Sequence, residues 1–248
     1  MFKVRVIGSG SKGNATVIFN EDTTLLIDFG LSRLRVKKAL KDFDKTLESI
    51  DYAFFTHNHT DHIKSLQYLE PNKVYALDGT VPLKQKNKLE PYTRYKFGSF
   101  FVTPISTSHD APNPTGYLIE DEDTSLVYMT DTGYIPEKSL AYMINKDYYI
   151  IESNHDILML LQSNRSNELK YRILAYFGHL SNEQSALYMS NLVGDKTKKI
   201  VLAHLSEECN DPDIALDTYD RIFREQNVQG KFDIVCANQK EPIDLWLE

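Results

Sequence analysis

The chain is poor in cysteine, has no long apolar run and carries no block of like charge, and each absence removes a class of function. Cys209 and Cys236 are the only two cysteines in 248 residues and stand far apart. They make neither a disulfide framework nor a C-x-x-C site, so both read as buried thiols of a reducing compartment, without a chemical role. No apolar stretch approaches the roughly 18 residues that cross a bilayer. The chain opens on alternating Phe2, Val4 and Val6 instead of a charged and then apolar leader. A soluble, cytoplasmic protein with no membrane partner is expected. Lysine and arginine number 28 against 35 aspartates and glutamates, a net charge of −7. A protein that holds a long nucleic acid normally presents a basic track, because phosphate neutralisation and counterion release supply much of the affinity. The densest basic stretch, residues 33–41, has instead the spacing of a solvated face on an amphipathic helix.

Hydrophobic residues make up 42% of the chain, enough to bury a core, and no linker divides it, so one α/β domain over residues 1–248 is expected. Strands are predicted at 2–7, 15–19, 25–27, 50–55, 74–77, 100–105, 125–129, 148–151, 200–203, 234–237 and 243–247. Helices are predicted at 31–43, 62–68, 137–144, 167–176, 181–192 and 213–225. Residues 8–13 match the G-x-G-x-x-G pattern of dinucleotide sites. That fingerprint needs a helix to follow, whose N-terminus meets the pyrophosphate. Here Ala15-Thr16-Val17-Ile18-Phe19 leads into a turn and another strand, so the glycines open a hairpin-like β region. Residues 163–167 are the most polar interruption and read as a surface loop or lid.

The densest chemistry lies in Thr56-His57-Asn58-His59-Thr60-Asp61-His62, directly after an apolar run. His57 and His59 share one side of an extended backbone, while Asp61 and His62 point elsewhere at a helix start. Ligands facing two directions suit two neighbouring ions better than one, and imidazole with carboxylate but no thiolate suits Zn or Mn. Histidines 57, 59, 62, 109, 155, 179 and 204 all fall in strand-end or helix-start tips, none in an apolar face. Asp28, at the end of another strand, reads as a loop-organising acceptor in preference to a ligand. Lys12 reads as solvating its loop.

Taken in order, Asp28, the T-H-N-H-T-D-H loop, Ser108-His109, Thr130-Asp131-Thr132-Gly133 and Ala203-His204-Leu205-Ser206 resemble the metallo-β-lactamase superfamily over essentially the full length. The resemblance implies an αββα sandwich, two mixed β-sheets flanked by helices with a dinuclear metal site at the sheet edge. Carried over by position, His57, His59 and His109 are ligands of one ion, Asp61, His62 and His204 of the other, and Asp131 bridges them. Glu152-Ser153-Asn154-His155-Asp156 and Phe177-Gly178-His179-Leu180-Ser181-Asn182 are similar to the phosphodiesterase branch of ribonuclease Z and the YycJ/WalJ-type proteins, with the latter nearer. Phage anti-Pycsar proteins, which hydrolyse cyclic nucleotide monophosphates, belong to the same neighbourhood. By that resemblance Asp61 also orients the nucleophile, His179 serves the leaving oxygen as proton donor or oxyanion stabiliser, and Glu152 holds its tautomer. His155 is either a packing or a ligand-supporting imidazole.

The chain lacks both a basic track and the helical arm that ribonuclease Z uses on tRNA. The expected substrate is therefore a cyclic nucleotide monophosphate, opened at its 3′,5′-phosphodiester, in a role that would counter a cyclic-nucleotide immune signal, inside the host cytoplasm if the chain is phage-encoded. The alternative is a YycJ/WalJ-like 5′-to-3′ DNA exonuclease, with nucleic acid as substrate. A lactonase or glyoxalase II-type hydrolase would share the ligands but has no need of the His179 motif. The cofactors expected are two divalent ions, Zn or Mn, and the resemblance implies a homodimer whose partner loop covers the site.

Overall fold

The computed structural model of the chain describes residues 2–81, 87–228 and 230–247. Period-two alternation of apolar side chains builds two seven-stranded sheets. The first runs β1 (Phe2–Gly8), β2 (Ala15–Phe19), β3 (Thr24–Ile27), β4 (Tyr52–Phe54), β5 (Val74–Leu77) and β6 (Asn87–Leu89), with β14 (Ile243–Leu247) beside β1. The second runs β7 (Tyr95–Phe97), β8 (Phe100–Ser106), β9 (Thr115–Glu120), β10 (Ser125–Met129), β11 (Tyr148–Glu152), β12 (Lys199–Ala203) and β13 (Asp233–Cys236). Each sheet is mixed. β14, β1, β2 and β3 pair antiparallel and β3 to β6 parallel. In the second sheet β7 to β10 pair antiparallel and β10 to β13 parallel.

Parallel neighbours require crossovers, and helices supply them. α1 (Arg33–Lys41) joins β3 to β4, α3 (Glu137–Met143) joins β10 to β11, and α7 (Pro212–Glu225) joins β12 to β13. Between β11 and β12 come α4 (Ile157–Gln162), α5 (Asn167–Leu174) and α6 (Asn182–Leu192). Val4, Val6, Leu25, Ile27, Tyr128, Ile150 and Val201 face into a core between the sheets. On the opposite face of the first sheet Leu26 packs with Val36 and Leu40 of α1. On that of the second, Val127, Ile151 and Leu202 pack with Met189 of α6 and Tyr219 of α7. The result is the expected αββα sandwich. Central strands are covered on both faces, which is why they read as unbroken apolar runs.

Arg5 departs from that pattern. Its guanidinium donates to Asp244 at 2.5 and 2.7 Å, to Asp42 at 2.5 Å and to the Ala39 carbonyl at 3.0 Å, tying β1, β14 and α1 together.

The glycines after β1 do open an antiparallel hairpin to β2, as the sequence implies. The helix predicted at 62–68 does not form as one element. α2 (Thr60–Ile63) stops after one turn and a 3-10 turn, Leu66–Tyr68, follows. Ser65 explains the break: its amide donates to the Phe29 carbonyl at 2.8 Å and its hydroxyl to the Leu31 carbonyl at 2.7 Å. The strands β6, β7 and β9 and the helix α4 were not predicted.

Strands that share a direction also share an exit. β3, β4, β10, β11 and β12 release their carboxyl ends at one edge of the sandwich, and β8, two antiparallel steps from β10, ends there too. Open α/β sheets place ligands at such an edge.

Candidate metal centre

β4 hands the chain to Thr56 and His57, both buried, and α2 begins after His59. The loop is fixed from beneath by Asp28, a fully buried carboxylate in the left-handed region (φ 58°) just after β3. Asp28 accepts from the Thr56 amide at 2.9 Å, the Thr56 hydroxyl at 2.9 Å and His62 Nδ1 at 2.7 Å. It is thus the loop organiser the sequence implies. With Nδ1 held, His62 presents Nε2, which lies 3.2 Å from Asp131 Oδ2 and 3.0 Å from the side-chain nitrogen of Asn14. The backbones of the Gly10–Asn14 turn, the Phe29–Gly30 corner and the Asp61–His62 turn are laced together. Asn14 N donates to Asp61 O at 2.8 Å, Gly30 N to Asn14 O at 2.8 Å and Phe29 N to His62 O at 2.7 Å. A Cβ at Gly30 would sit 1.5 Å from the Asp61 carbonyl oxygen, so this corner requires glycine.

The second sheet supplies the facing groups. His109, beyond β8, donates from Nδ1 to the Gly178 carbonyl at 3.1 Å and turns Nε2 to within 3.3 Å of His59 Nδ1. Asp131 and His204, beyond β10 and β12, are again non-glycine residues in the left-handed region, at φ 54° and 57°. Such conformations cost on the order of 1 kcal/mol each and collect at functional sites. His204 Nε2 lies 3.5 Å from Asp131 Oδ1 and 4.0 Å from Asp61 Oδ2. Glu152, buried at the end of β11, accepts through Oε1 from His179 Nδ1 at 2.8 Å and from His204 Nδ1 at 2.9 Å. Its Oε2 accepts from the amides of Thr132 at 2.8 Å and Leu180 at 3.3 Å. The sequence reading gave Glu152 to His179 alone; the carboxylate holds both imidazoles.

Among the described residues four overlapping groups of ligand-capable atoms lie within 4.8 Å of one another: Asp131 with Glu152, His179 and His204; His57 with His62 and Asp131; and the two expected sets, His57 with His59 and His109, and Asp61 with His62 and His204. Asp131 stands between them, reaching His62 through Oδ2, and His109 (3.8 Å) and His204 through Oδ1. Among the described residues His57 Nε2, His204 Nε2 and Asp131 Oδ2 are buried without a hydrogen-bond partner, a state native interiors rarely tolerate. The 3.3 Å separation of His59 Nδ1 and His109 Nε2 equals the edge of a tetrahedron with metal–nitrogen bonds of about 2.0 Å. Burial pushes His57 and His109 below the usual histidine range, which keeps their lone pairs free. Burial opposes ionisation of Asp131, but His204 and His62 outweigh it and hold this carboxyl well below its ordinary value. For Glu152 burial is likewise outweighed, by His179 and His204, which bring it down to about 2. The residues present fit divalent cations.

His179 is 19% exposed and opens, with His59, Asp61, Asp131, Arg165 and Phe177, onto a cleft of about 350 Å³. His155 is fully buried, does not line that cleft, and finds no partner for either ring nitrogen among the described residues. Burial pushes it down to about 4. Lys12 is exposed and pairs with Glu207. The polar interruption at 163–167 is the turn between α4 and α5. There Arg165 Nε donates to Glu208 at 2.8 Å, and the Ser166 hydroxyl caps α5. Sequence reasoning missed Asn14 and Thr56 as supports of the site; the placement of Asn14 directly after the glycine turn was the one available signal.

Residues 23–204 match the β-lactamase superfamily domain family. The chain is 35% identical over 231 residues to exodeoxyribonuclease WalJ of Streptococcus pneumoniae, covering 86% of this chain and 85% of that one. It is 32% identical over 255 residues to exodeoxyribonuclease YycJ of Bacillus anthracis, covering 97% of each. Anti-Pycsar protein Apyc1 of Bacillus phage BSP38 is 38% identical over only 84 residues, 31% of this chain and 32% of its own. Among solved structures, the metallo-β-lactamase fold protein YhfI of Bacillus subtilis superposes with a TM-score of 0.69 at 18% identity, covering 98% of this chain and 99% of that one, a likeness of fold.

Proposed function

From the premise that the chain belongs to the metallo-β-lactamase superfamily, beside the WalJ and YycJ proteins, we propose that it is a two-metal phosphodiesterase that degrades DNA from an end. It is a hydrolase of that superfamily; DNA as substrate is our reading. The observation that carries it is similarity along nearly the whole chain to two proteins named exodeoxyribonucleases, against a match of 84 residues to the anti-Pycsar protein. The cyclic mononucleotide, favoured on net charge, gives way for a physical reason. Net charge sums over the whole surface, whereas a substrate meets the local groups. The cleft places Arg165 and Arg172 beside the carboxylates Asp61, Asp110, Asp131 and Glu208, so that ions held there would supply most of the attraction for a phosphodiester of either kind.

His57, His59 and His109 would hold one ion, Asp61, His62 and His204 the other, with Asp131 shared; Zn or Mn suits this donor set. Ions bound there supply an acidified water and a positive clamp on the phosphodiester. Asp61, kept ionised by His204 against the opposing effect of burial, is an acceptor able to orient the attacking water. Glu152 accepts from Nδ1 of His179 and would steady the doubly protonated ring, whose Nε2–H can give its proton to the leaving oxygen.

The test pairs elemental analysis with turnover. Purified protein should hold two divalent ions per chain, and Asp131→Ala should lose both occupancy and activity. Zn- or Mn-loaded protein is then offered linear DNA, the same DNA as a closed circle, and cyclic purine and pyrimidine mononucleotides. Release of nucleotides from linear DNA alone is expected. Opening of the cyclic mononucleotides with linear DNA left intact would overturn the DNA reading and leave the phosphodiesterase chemistry standing.

A further inference from the structure

Phe177 and Tyr176 are 61% and 77% exposed, yet the turn that carries them is firmly held. Ser108 Oγ donates to the Tyr176 carbonyl at 2.8 Å, His109 Nδ1 to the Gly178 carbonyl at 3.1 Å, and the amides of Gly178 and His179 to the carbonyls of Ala175 and Ile173 at 2.8 and 2.9 Å. The backbone of this turn is therefore tied to the same histidine that faces His59 in the candidate cage. Tyr134 meets Tyr176 edge to face, with ring centroids 5.9 Å apart at 89°. A fold that needed only a turn here could carry polar side chains. Instead a rigid backbone holds flat apolar rings out of the core, and Phe177 forms part of the cleft wall.

The same wall carries two guanidinium groups, each resting on a carboxylate: Arg172 Nε donates to Asp110 Oδ2 at 2.6 Å and Arg165 Nε to Glu208 Oε2 at 2.8 Å. An exposed ring on the same cleft wall as cations is the chemistry that receives an unpaired nucleotide: a base stacks on the ring and phosphates meet the cations. We propose that Phe177 is a stacking ledge for the nucleobase next to the scissile phosphate, with Arg172 and Arg165 receiving the adjoining phosphates. The proposal rests on the DNA reading above and deepens it. The ledge requires the terminal base to be out of the stack, as it is in a single strand or at a frayed duplex end.

The experiment uses the full chain loaded with Zn or Mn and a single-stranded oligonucleotide, either normal or abasic at its two outermost positions at each end. The wild-type protein should prefer the base-bearing ends on the order of tenfold in kcat/KM, through KM, the scale of one stacked base. Phe177→Ala should erase that preference and Phe177→Trp should keep it, with ion content and thermal midpoint matched among the variants. DNA cleaved by wild type with no preference for base-bearing ends, or a preference that survives Phe177→Ala, overturns the ledge while the DNA reading stands. No cleavage of DNA by wild type overturns both. Sedimentation of the same variants covers the competing use of these rings. Conversion of a dimer to a monomer by Phe177→Ala would assign them to an interface between copies and overturn the proposal.

Discussion

Glu152 shows at the scale of one residue how much a single carboxylate can organise. Because it accepts from both His179 and His204, removing it differs from removing either imidazole. His179→Ala is expected to keep its ions and lose 10²- to 10⁴-fold in turnover, the usual scale of a positioned proton donor. Glu152→Ala should add a loss of ion affinity on the order of 10- to 100-fold, the usual cost of deleting a ligand's hydrogen-bond partner. Metal titration beside single-turnover kinetics separates the two. If His179→Ala loses its ions as well, His179 is itself a ligand. His155 gives a different prediction. Burial pushes it down to about 4, whereas an unfolded chain takes up that proton near pH 6.5, so acidification feeds the unfolded state first. Stability should be unaffected above pH 6.5 and should fall by about 3 kcal/mol between pH 6.5 and 4. Urea unfolding across that window, with His155→Gln flattening the slope, checks it.

At the scale of the element, the site depends on how closely three corners of backbone approach. Gly30→Ala would put a methyl group onto the Asp61 carbonyl. It is expected to cost about 3 kcal/mol or more and to empty the cage, since the turn carrying Asp61 and His62 must move. Urea unfolding and ion analysis measure both effects. The strands that feed the site were legible because two-sided burial writes them as apolar runs ending in polar tips, as in Ile200-Val201-Leu202-Ala203 before His204. β9 was not legible: Pro112 and Pro114 precede it and Gly116 interrupts it, so its text looks like a loop. α4, with only six residues, is too short for its apolar spacing to show a helical period. The histidines of the site were legible from their crowding. Asp28 was legible as a loop organiser and Glu152 as the holder of His179, but the contacts of Asp28 with His62 and of Glu152 with His204 were not, because they form only after the chain has folded across tens of residues.

For the molecule as a whole, the net charge of −7 predicts repulsion of a polymer, and the cleft offers only Arg165 and Arg172 as cationic side chains to oppose it. The two effects separate under salt. If Arg165 and Arg172 are the contacts to single-stranded DNA, about two counterions are released, and affinity should fall only about sevenfold between 50 and 200 mM salt. Fluorescence anisotropy with a labelled oligonucleotide measures that slope. A loss of a thousandfold or more would require a basic track elsewhere on the surface.

The order of the site residues along the chain also imposes an order in time. His204 follows His57 by about 150 residues, which a ribosome adds in about 7 to 30 s. Throughout that interval the nascent chain carries the crowded loop at 57–62 without its facing half, so no completed cage can template the first sheet. The first sheet is itself incomplete in that interval, since β14 beside β1 is made after His204. Asp28, Thr56 and Asn14 are all encoded before the first of these histidines, and all three lie within hydrogen-bonding distance of His62. His62 thus has partners made before it, whereas His59 gains His109 and Asp110 only once the second sheet is made.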